Sequence, residues 1–207
     1  MTQLEIKRPE ALKAGARSIL YAFLACAFRY PEDESWAQLY SLAQGAMAHL
    51  PYTVQFPSLY PPRAEDYVHA FEVGGHYGAP CFIYEGEYGG GRLKVMEDAL
   101  RFYDWFQLEP VQEDGKRERP DFLATELEFM HFLTFQEASA LEANGDPRPY
   151  RLAQREFLRF HLMEFVQALA SHLAGMNVPF YSAVASLARD TCSQDLRYLD
   201  NLLGVAR

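Results

Sequence analysis

One stretch constrains the fold more than any other: residues 118–138, "ERPDFLATELEFMHFLTFQEA". Pro120 and Asp121 precede a run whose apolar residues fall on nearly every face of a helix. A proline fits the first helical turn because its missing N–H would have no partner there, and Asp121 can accept hydrogen bonds from first-turn amides. A helix that is apolar on all sides belongs inside a bundle. We therefore predict a buried central helix that begins at Pro120.

The rest of the chain shows helical periodicity in segments that proline and glycine clusters separate. These predicted helical segments are 11–31, 32–51, 64–73, 93–110, 152–175 and 178–207, the last as one or two helices. Residues 51–63 contain four prolines and are predicted to be a loop. Residues 76–92 are rich in glycine and aromatics, with at most a short strand around 82–84. The pattern predicts an all-α fold, a single domain over residues 1–207 with about seven helices.

Charge and composition exclude several classes of protein. The formal net charge of −9 disfavours nucleic acids and anionic membrane surfaces, whereas it would attract a basic peptide segment. The N-terminus lacks the apolar region of a signal peptide, and we find no apolar run long enough to span a bilayer. We therefore expect a cytoplasmic protein without stable membrane insertion. The three cysteines form no CxxC pair, which excludes a zinc ribbon, and we expect buried thiols.

Catalytic motifs are sparse. Glu128 and His131 form an ExxH pair, which di-iron bundles use twice together with two further glutamates, but the second copy is missing. The chain has no GxSxG elbow, and "GEYGGGR" matches neither of the common phosphate-binding glycine motifs. A di-metal helical-bundle enzyme that uses Glu128 and His131 therefore stays open only as an alternative. We expect no enzyme activity, no metal site and no bound cofactor.

Several segments resemble one family in the same order along the chain. "ERPDFLATELEFMHFL" is similar to the "PDH-LxxELxFM" signature of the TorD/DmsD/NarJ family of redox-enzyme maturation chaperones. "APCFIYEGEYG" resembles that family's "P-x-YE-x-EYG" loop, and "EDYVHAF" its aromatic helix. "RFYDWFQLEP" resembles its "FYxxFGL" helix, and the segments 157–173 and 178–188 resemble its last two helices. The resemblance covers roughly residues 15–203.

The resemblance implies an all-helical chaperone for a molybdenum enzyme of the dimethyl-sulfoxide-reductase class. Its expected partner is the apo catalytic subunit, its twin-arginine leader peptide, or both, held until the molybdopterin cofactor is inserted. Aromatic side chains would form an apolar groove for the leader, and carboxylates would pair with its arginines. The residues expected to bind this client are Tyr67, Phe71, Pro80, Tyr84, Glu85, Glu87, Tyr88, Asp121 and Phe122, of which all but Phe122 lie at positions that match the family's motifs.

Some choices stay open at this point. The family often has histidine after the site aspartate, where this chain has Phe122, so a branch that grips another part of its client is compatible with the sequence. A non-catalytic subunit retained in a mature oxidoreductase complex would have a similar sequence. Family members can exchange helices between protomers, which allows a homodimer. The client could be a dimethyl-sulfide, ethylbenzene, nitrate, selenate or chlorate-type enzyme.

Overall fold

The regular structure is helical in the computed structural model, which describes residues 7–31, 36–72, 81–110 and 118–205. The α-helices are α1 (Pro9–Phe28), α2 (Trp36–Ala46), α3 (Ala64–Tyr67), α4 (Arg92–Trp105), α5 (Leu123–Glu142), α6 (Arg148–Phe157), α7 (Met163–Ala174) and α8 (Pro179–Leu203). One π-helical turn, Val68–Glu72, extends α3, and another, Leu158–Leu162, joins α6 to α7 without a break. With α6 and α7 counted as one helix, the described residues form seven α-helical segments and no strand, which confirms the all-α prediction.

The core is built around α5, as its apolar sequence predicts. Leu123, Leu127 and Met130 are completely buried, and α5 packs mainly against α1. The buried face of α1 includes Leu20 and Leu24. The described part of the chain also buries Cys81 and Cys192, and Cys26 is partly buried.

The structure corrects the prediction that no apolar run could span a bilayer. Among the described residues, α1 is long and apolar enough to do so by length and composition alone. However, 72% of that stretch is buried inside the bundle. The apolar residues of α1 thus pack against other helices, as expected of a core helix.

The start of α5 also differs from the prediction. The helix begins at Leu123, with Phe122 at its N-cap position and no side-chain cap, so Pro120 lies before the first turn. Asp121 does not cap the helix, because other groups occupy its carboxylate. The first amide of the helix has a backbone partner instead: the N–H of Leu123 donates to the carbonyl oxygen of Ile83 at 3.0 Å.

A buried polar network joins the four helices α1, α5, α6 and α8. Arg17 of α1 is completely buried and donates to Asp195 of α8, through Nε at 2.5 Å and Nη2 at 2.9 Å. It also donates to Glu137 of α5 at 2.7 Å and to Gln154 of α6. Arg151 adds a second positive charge, because its Nε donates to Glu137 at 2.6 Å. Two arginines therefore balance two carboxylates.

Residues 81–92 lead into α4 through a tight turn. Gly89, Gly90 and Gly91 all have positive φ, which glycine adopts without a steric penalty. Gly91 occupies the N-cap position of α4. The three glycines therefore form a turn into α4.

Candidate functional site

Two of the motif-bearing segments meet in the fold. Tyr84 and Phe122 form an isolated antiparallel β-bridge, in which the N–H of Glu85 donates to the carbonyl oxygen of Asp121 at 2.9 Å. The rings of Tyr84 and Phe122 lie 5.6 Å apart. The glycine-rich loop and the start of α5 are thereby fixed to each other, although they are far apart in the sequence.

Asp121 lies at the centre of this junction and is completely buried. Its carboxylate accepts two hydrogen bonds from Arg119, at 2.9 Å from Nε and 2.7 Å from Nη2. It also accepts one from the N–H of Gly86 at 3.2 Å. Asp121 therefore holds the loop in place, and its charge is already paired within the chain.

Arg119 is a site residue that the sequence analysis missed. Its guanidinium lies over the ring of Tyr84, 3.9 Å from the centroid, and its Nη2 lies 3.5 Å from Glu87. Pairing with Asp121 and Glu87 raises the pKa of Arg119 above its ordinary value. Arg119 thus pairs within the chain with Asp121 and Glu87, two of the carboxylates that the sequence analysis expected to meet a leader's arginines. The only hint of this role in the sequence was that Arg119 comes directly before Pro120 and Asp121.

The predicted aromatic pair Tyr67 and Phe71 lies in the core. Both side chains are over 90% buried, and their rings meet edge to face at 5.0 Å. Each ring also packs against Tyr181 of α8. These two residues therefore belong to the core rather than to an open groove. Pro80 lies outside the described residues.

Phe122 is buried and Tyr88 is partly buried, and both contact residues of other segments. Phe122 is buried, 7% exposed, between Tyr84 and the guanidinium of Arg29. Tyr88 is partly buried, and its hydroxyl donates to the carbonyl oxygen of Phe82 at 2.8 Å. Its ring packs against Phe165 and His172, which attaches the loop to α7.

Glu85 turns inward rather than toward solvent. One of its oxygens lies 2.8 Å from Nδ1 of His161, whose side chain is 4% exposed. Glu126, from the first turn of α5, faces the same point and is completely buried. Burial and the neighbouring Glu85 carboxylate raise the pKa of Glu126 well above its ordinary value. The Glu85 side chain therefore belongs to a polar cluster inside the protein.

An apolar trough runs beside this junction, between α4 and the helix pair α6–α7. Two adjoining cavities of about 700 Å³ and 610 Å³ form it and share Arg101, Phe102 and Phe160. We define the trough by its aromatic and aliphatic lining: Tyr88, Phe102, Trp105, Leu152, Phe160 and Phe165. Trp105 is 81% exposed and Phe160 63% exposed. Sequence analysis missed this surface, although both residues depart from the apolar stripe of their helices.

The ExxH pair does not form a metal site. Glu128 is exposed and accepts from Arg29 Nε at 3.0 Å. His131 directs Nδ1 at Ser18, 3.0 Å from its carbonyl oxygen and 2.8 Å from its hydroxyl. The two side chains serve separate contacts with α1 and the residue that follows it, which argues against the di-metal alternative.

Comparisons with known proteins agree with the motifs. The selenate reductase assembly chaperone protein of Thauera selenatis is 36% identical over 161 residues, which cover 76% of this chain and 74% of that protein. The chlorate reductase assembly chaperone protein of Ideonella dechloratans is 33% identical over 76% of this chain and 74% of its own length. The dimethyl sulfide dehydrogenase assembly chaperone protein of Rhodovulum sulfidophilum is 29% identical over 86% of this chain and 78% of that protein.

The family comparison covers the part of the chain that builds this site. Residues 63–171 match the model of the nitrate reductase delta subunit family. This range runs from α3 to α7 and includes the bridge between Tyr84 and Phe122, Arg119 and the whole lining of the trough. The range and the similarity to the chaperones of selenate and chlorate reductases lead to one conclusion: the chain belongs to the nitrate reductase delta subunit family.

Proposed function

We propose that this chain is a cytoplasmic assembly chaperone for the catalytic subunit of a molybdenum oxidoreductase of the dimethyl-sulfoxide-reductase class. The observation that carries the proposal is the family membership, together with relatives whose names describe assembly chaperones of selenate, chlorate and dimethyl sulfide enzymes. Each of these names describes a role in assembly rather than in catalysis. The chain would hold the apo subunit until its molybdopterin cofactor is inserted.

The aromatic trough is the surface that we assign to the client. Exposed apolar patches on a soluble protein mark interaction sites, and tryptophan is enriched at the energetic centres of interfaces. Trp105 and Phe160 lie on the two walls of the trough, on α4 and on the turn between α6 and α7. An apolar client helix laid along the trough would bury both rings.

A basic leader peptide would engage the rim formed by residues 84–88. Glu87 and the half-buried Tyr84 stand at that rim, and Tyr88 connects it to the trough. Asp121 and Phe122 hold the rim through the hydrogen bond from the N–H of Gly86 and the contact with the Tyr84 ring, whereas Tyr67 and Phe71 are buried in the core. A leader arginine reaching Glu87 would compete with Arg119, which is 3.5 Å away. The net charge of −9 favours the approach of such a peptide.

Co-purification tests the proposal directly. A tagged chaperone is expected to capture one oxidoreductase catalytic subunit from cells grown without molybdate, and to release it once molybdate is supplied. The captured protein is identified by mass spectrometry. Retention of the subunit in equal yield after molybdate addition would instead identify a permanent structural subunit and overturn the chaperone proposal.

Paired alanine substitutions test the trough. Trp105→Ala with Phe160→Ala is expected to reduce client capture at least tenfold, because two interface aromatics each contribute about 2 kcal/mol or more when they are hot spots. Tyr60→Ala is the matched control, since Tyr60 is 88% exposed and lies outside the trough. An unchanged circular dichroism spectrum shows that the fold is retained. Equal capture by the double variant and the control would remove the trough from the client site.

A further inference from the structure

Three polar side chains from distant parts of the chain meet beneath the loop of residues 84–88. Glu85 comes from that loop, Glu126 from the first turn of α5, and His161 from the π-helical turn between α6 and α7. One carboxylate oxygen from each glutamate and one ring nitrogen of the histidine all lie within 4.8 Å of one another. The sequence gives no sign of this arrangement, because the three residues are far apart along the chain and no two of them share a local motif.

The hydrogen-bonding groups of this cluster are incompletely satisfied by the protein. Glu126 is completely buried, and neither of its carboxylate oxygens accepts a hydrogen bond from any N–H or O–H group of the described residues. The group it faces is the carboxyl group of Glu85, within 4.8 Å. Two carboxylates in such a site require a cation or a proton between them, because an unpaired buried charge is costly.

His161 is held so that it completes the cluster. Its ring stacks on Phe157 with centroids 4.8 Å apart and meets Phe102 edge to face at 5.5 Å. These contacts leave Nδ1 directed at Glu85, at 2.8 Å. The widened π turn that carries His161 is the kind of local irregularity that occurs often at functional sites.

The cluster also has an entry path. Glu85 and His161 line the larger of the two cavities that form the trough, whereas Glu126 is completely buried and is not part of that lining. An ion could therefore enter from the cavity and keep one coordination position toward it. One imidazole and two carboxylates form a donor set that suits zinc and the other divalent first-row transition metals.

We propose that Glu85, Glu126 and His161 bind one divalent transition-metal ion, with zinc as the preferred ion. The ion's two positive charges would balance the two carboxylates, and a water molecule from the cavity would complete a four-coordinate site. Its role is structural: it joins the loop of residues 84–88 to α5 and to the α6–α7 helix. This inference departs from the expectation of no metal drawn from the sequence, and it does not depend on the identity of the client.

Metal titration of the full chain tests the site. Protein freed of metal with EDTA and dialysed is titrated with zinc chloride, manganese chloride or magnesium chloride in a calorimeter. We expect one zinc ion per chain, weaker manganese binding, and no magnesium binding at the same concentrations, in line with the usual affinity order. At a zinc concentration of a hundred times Kd, Tm should rise by about 5–10 °C.

Two variants and one control make the assignment specific. Glu126→Gln and His161→Gln should each lower zinc affinity at least tenfold and abolish the rise in Tm. Glu128→Gln is the control, because Glu128 lies two residues from Glu126 but is exposed and pairs with Arg29. It should bind zinc as the wild type does.

Two results would overturn the proposal. Zinc binding that is equal in the wild type and in Glu126→Gln would place the ion elsewhere on the surface. A wild type that does not respond to zinc or manganese, together with a Glu126→Gln variant that is more stable than the wild type, would show that a shared proton joins Glu85 and Glu126.

Discussion

Gly86 lies between the backbone of Arg92 and the carboxylate of Asp121. A Cβ atom at this position would lie 2.9 Å from the Cα of Arg92 and 3.0 Å from Oδ2 of Asp121. Because the first neighbour is backbone, the contact cannot be relieved by a side-chain rotation. Gly86 is therefore required where the loop approaches α4 and where its N–H donates to Asp121.

Alanine at Gly86 should lower the free energy of unfolding by about 1–3 kcal/mol, the usual cost of overpacking a tight contact. Gly45→Ala is the matched control, because it lies within α2 and its Cβ would meet nothing within 4 Å. That substitution should raise the free energy of unfolding by about 0.5–1 kcal/mol. Chemical denaturation measures both, and an equal effect of the two alanines would contradict the close approach at Gly86.

Asp121 shows what sequence could and could not predict for single residues. Its importance followed from the motif, but its expected partners, the first-turn amides or a client's arginine, are replaced by Arg119 and Gly86. A motif identifies a residue without identifying its contacts, since those depend on how the loop of residues 84–88 packs. For the same reason, Tyr67 and Phe71 were expected in an open groove but lie in the core.

Hydrophobic periodicity predicted the helices more accurately than the motifs predicted the contacts of single residues. The burial of α5 followed from its apolar faces, and the single helix α8 was one of two expected arrangements. The start of α5 was predicted three residues too early, because Pro120 and Asp121 are used in the junction with the loop. The π turn at Leu158–Leu162 has no local sequence signal, since the surrounding apolar stripe continues through it.

The network around Arg17 supplies a prediction about the helices it joins. Arg17→Met would remove the charge that Asp195 and Glu137 share, and truncating one partner of a buried ion pair costs about 3–5 kcal/mol. Lys13→Met, on the same helix, removes only an exposed pair with Glu10 and should cost less than about 1 kcal/mol. Urea denaturation distinguishes these outcomes, and a cost for Arg17→Met as small as that for Lys13→Met would contradict the role of the network.

The same network makes the stability of the whole molecule depend on pH. Burial alone would raise the pKa of Glu137, but the charge of Arg17 and the hydrogen bonds from Arg151 and Gln154 outweigh it and lower that pKa. A carboxyl whose pKa is lowered in the folded state stabilises the protein above its unfolded pKa, about 4.3. That contribution is lost as the pH falls through the folded value.

Comparison with Glu137→Gln isolates this effect. At pH 7 the variant should be less stable than the wild type by about 3–5 kcal/mol, because Arg17 and Arg151 lose a buried partner. The difference should shrink as the pH falls below about 4.3, because the carboxyl is protonated first in the unfolded state and, at lower pH, in the folded state as well. Free energies of unfolding measured at a series of pH values test this, and a difference that stays constant down to pH 2 would rule out Glu137 as the source.

The helix α1 and its main packing partner α5 are far apart in the sequence, which has a consequence while the ribosome synthesises the chain. The ribosome completes α1 about 95 residues before it reaches the first residue of α5. At elongation rates of roughly 5–20 residues per second, this long apolar helix waits for on the order of 5–20 seconds without its main packing partner. During that interval, a protein whose relatives are named for assembling other enzymes would itself present a segment that membrane-insertion and folding factors can bind.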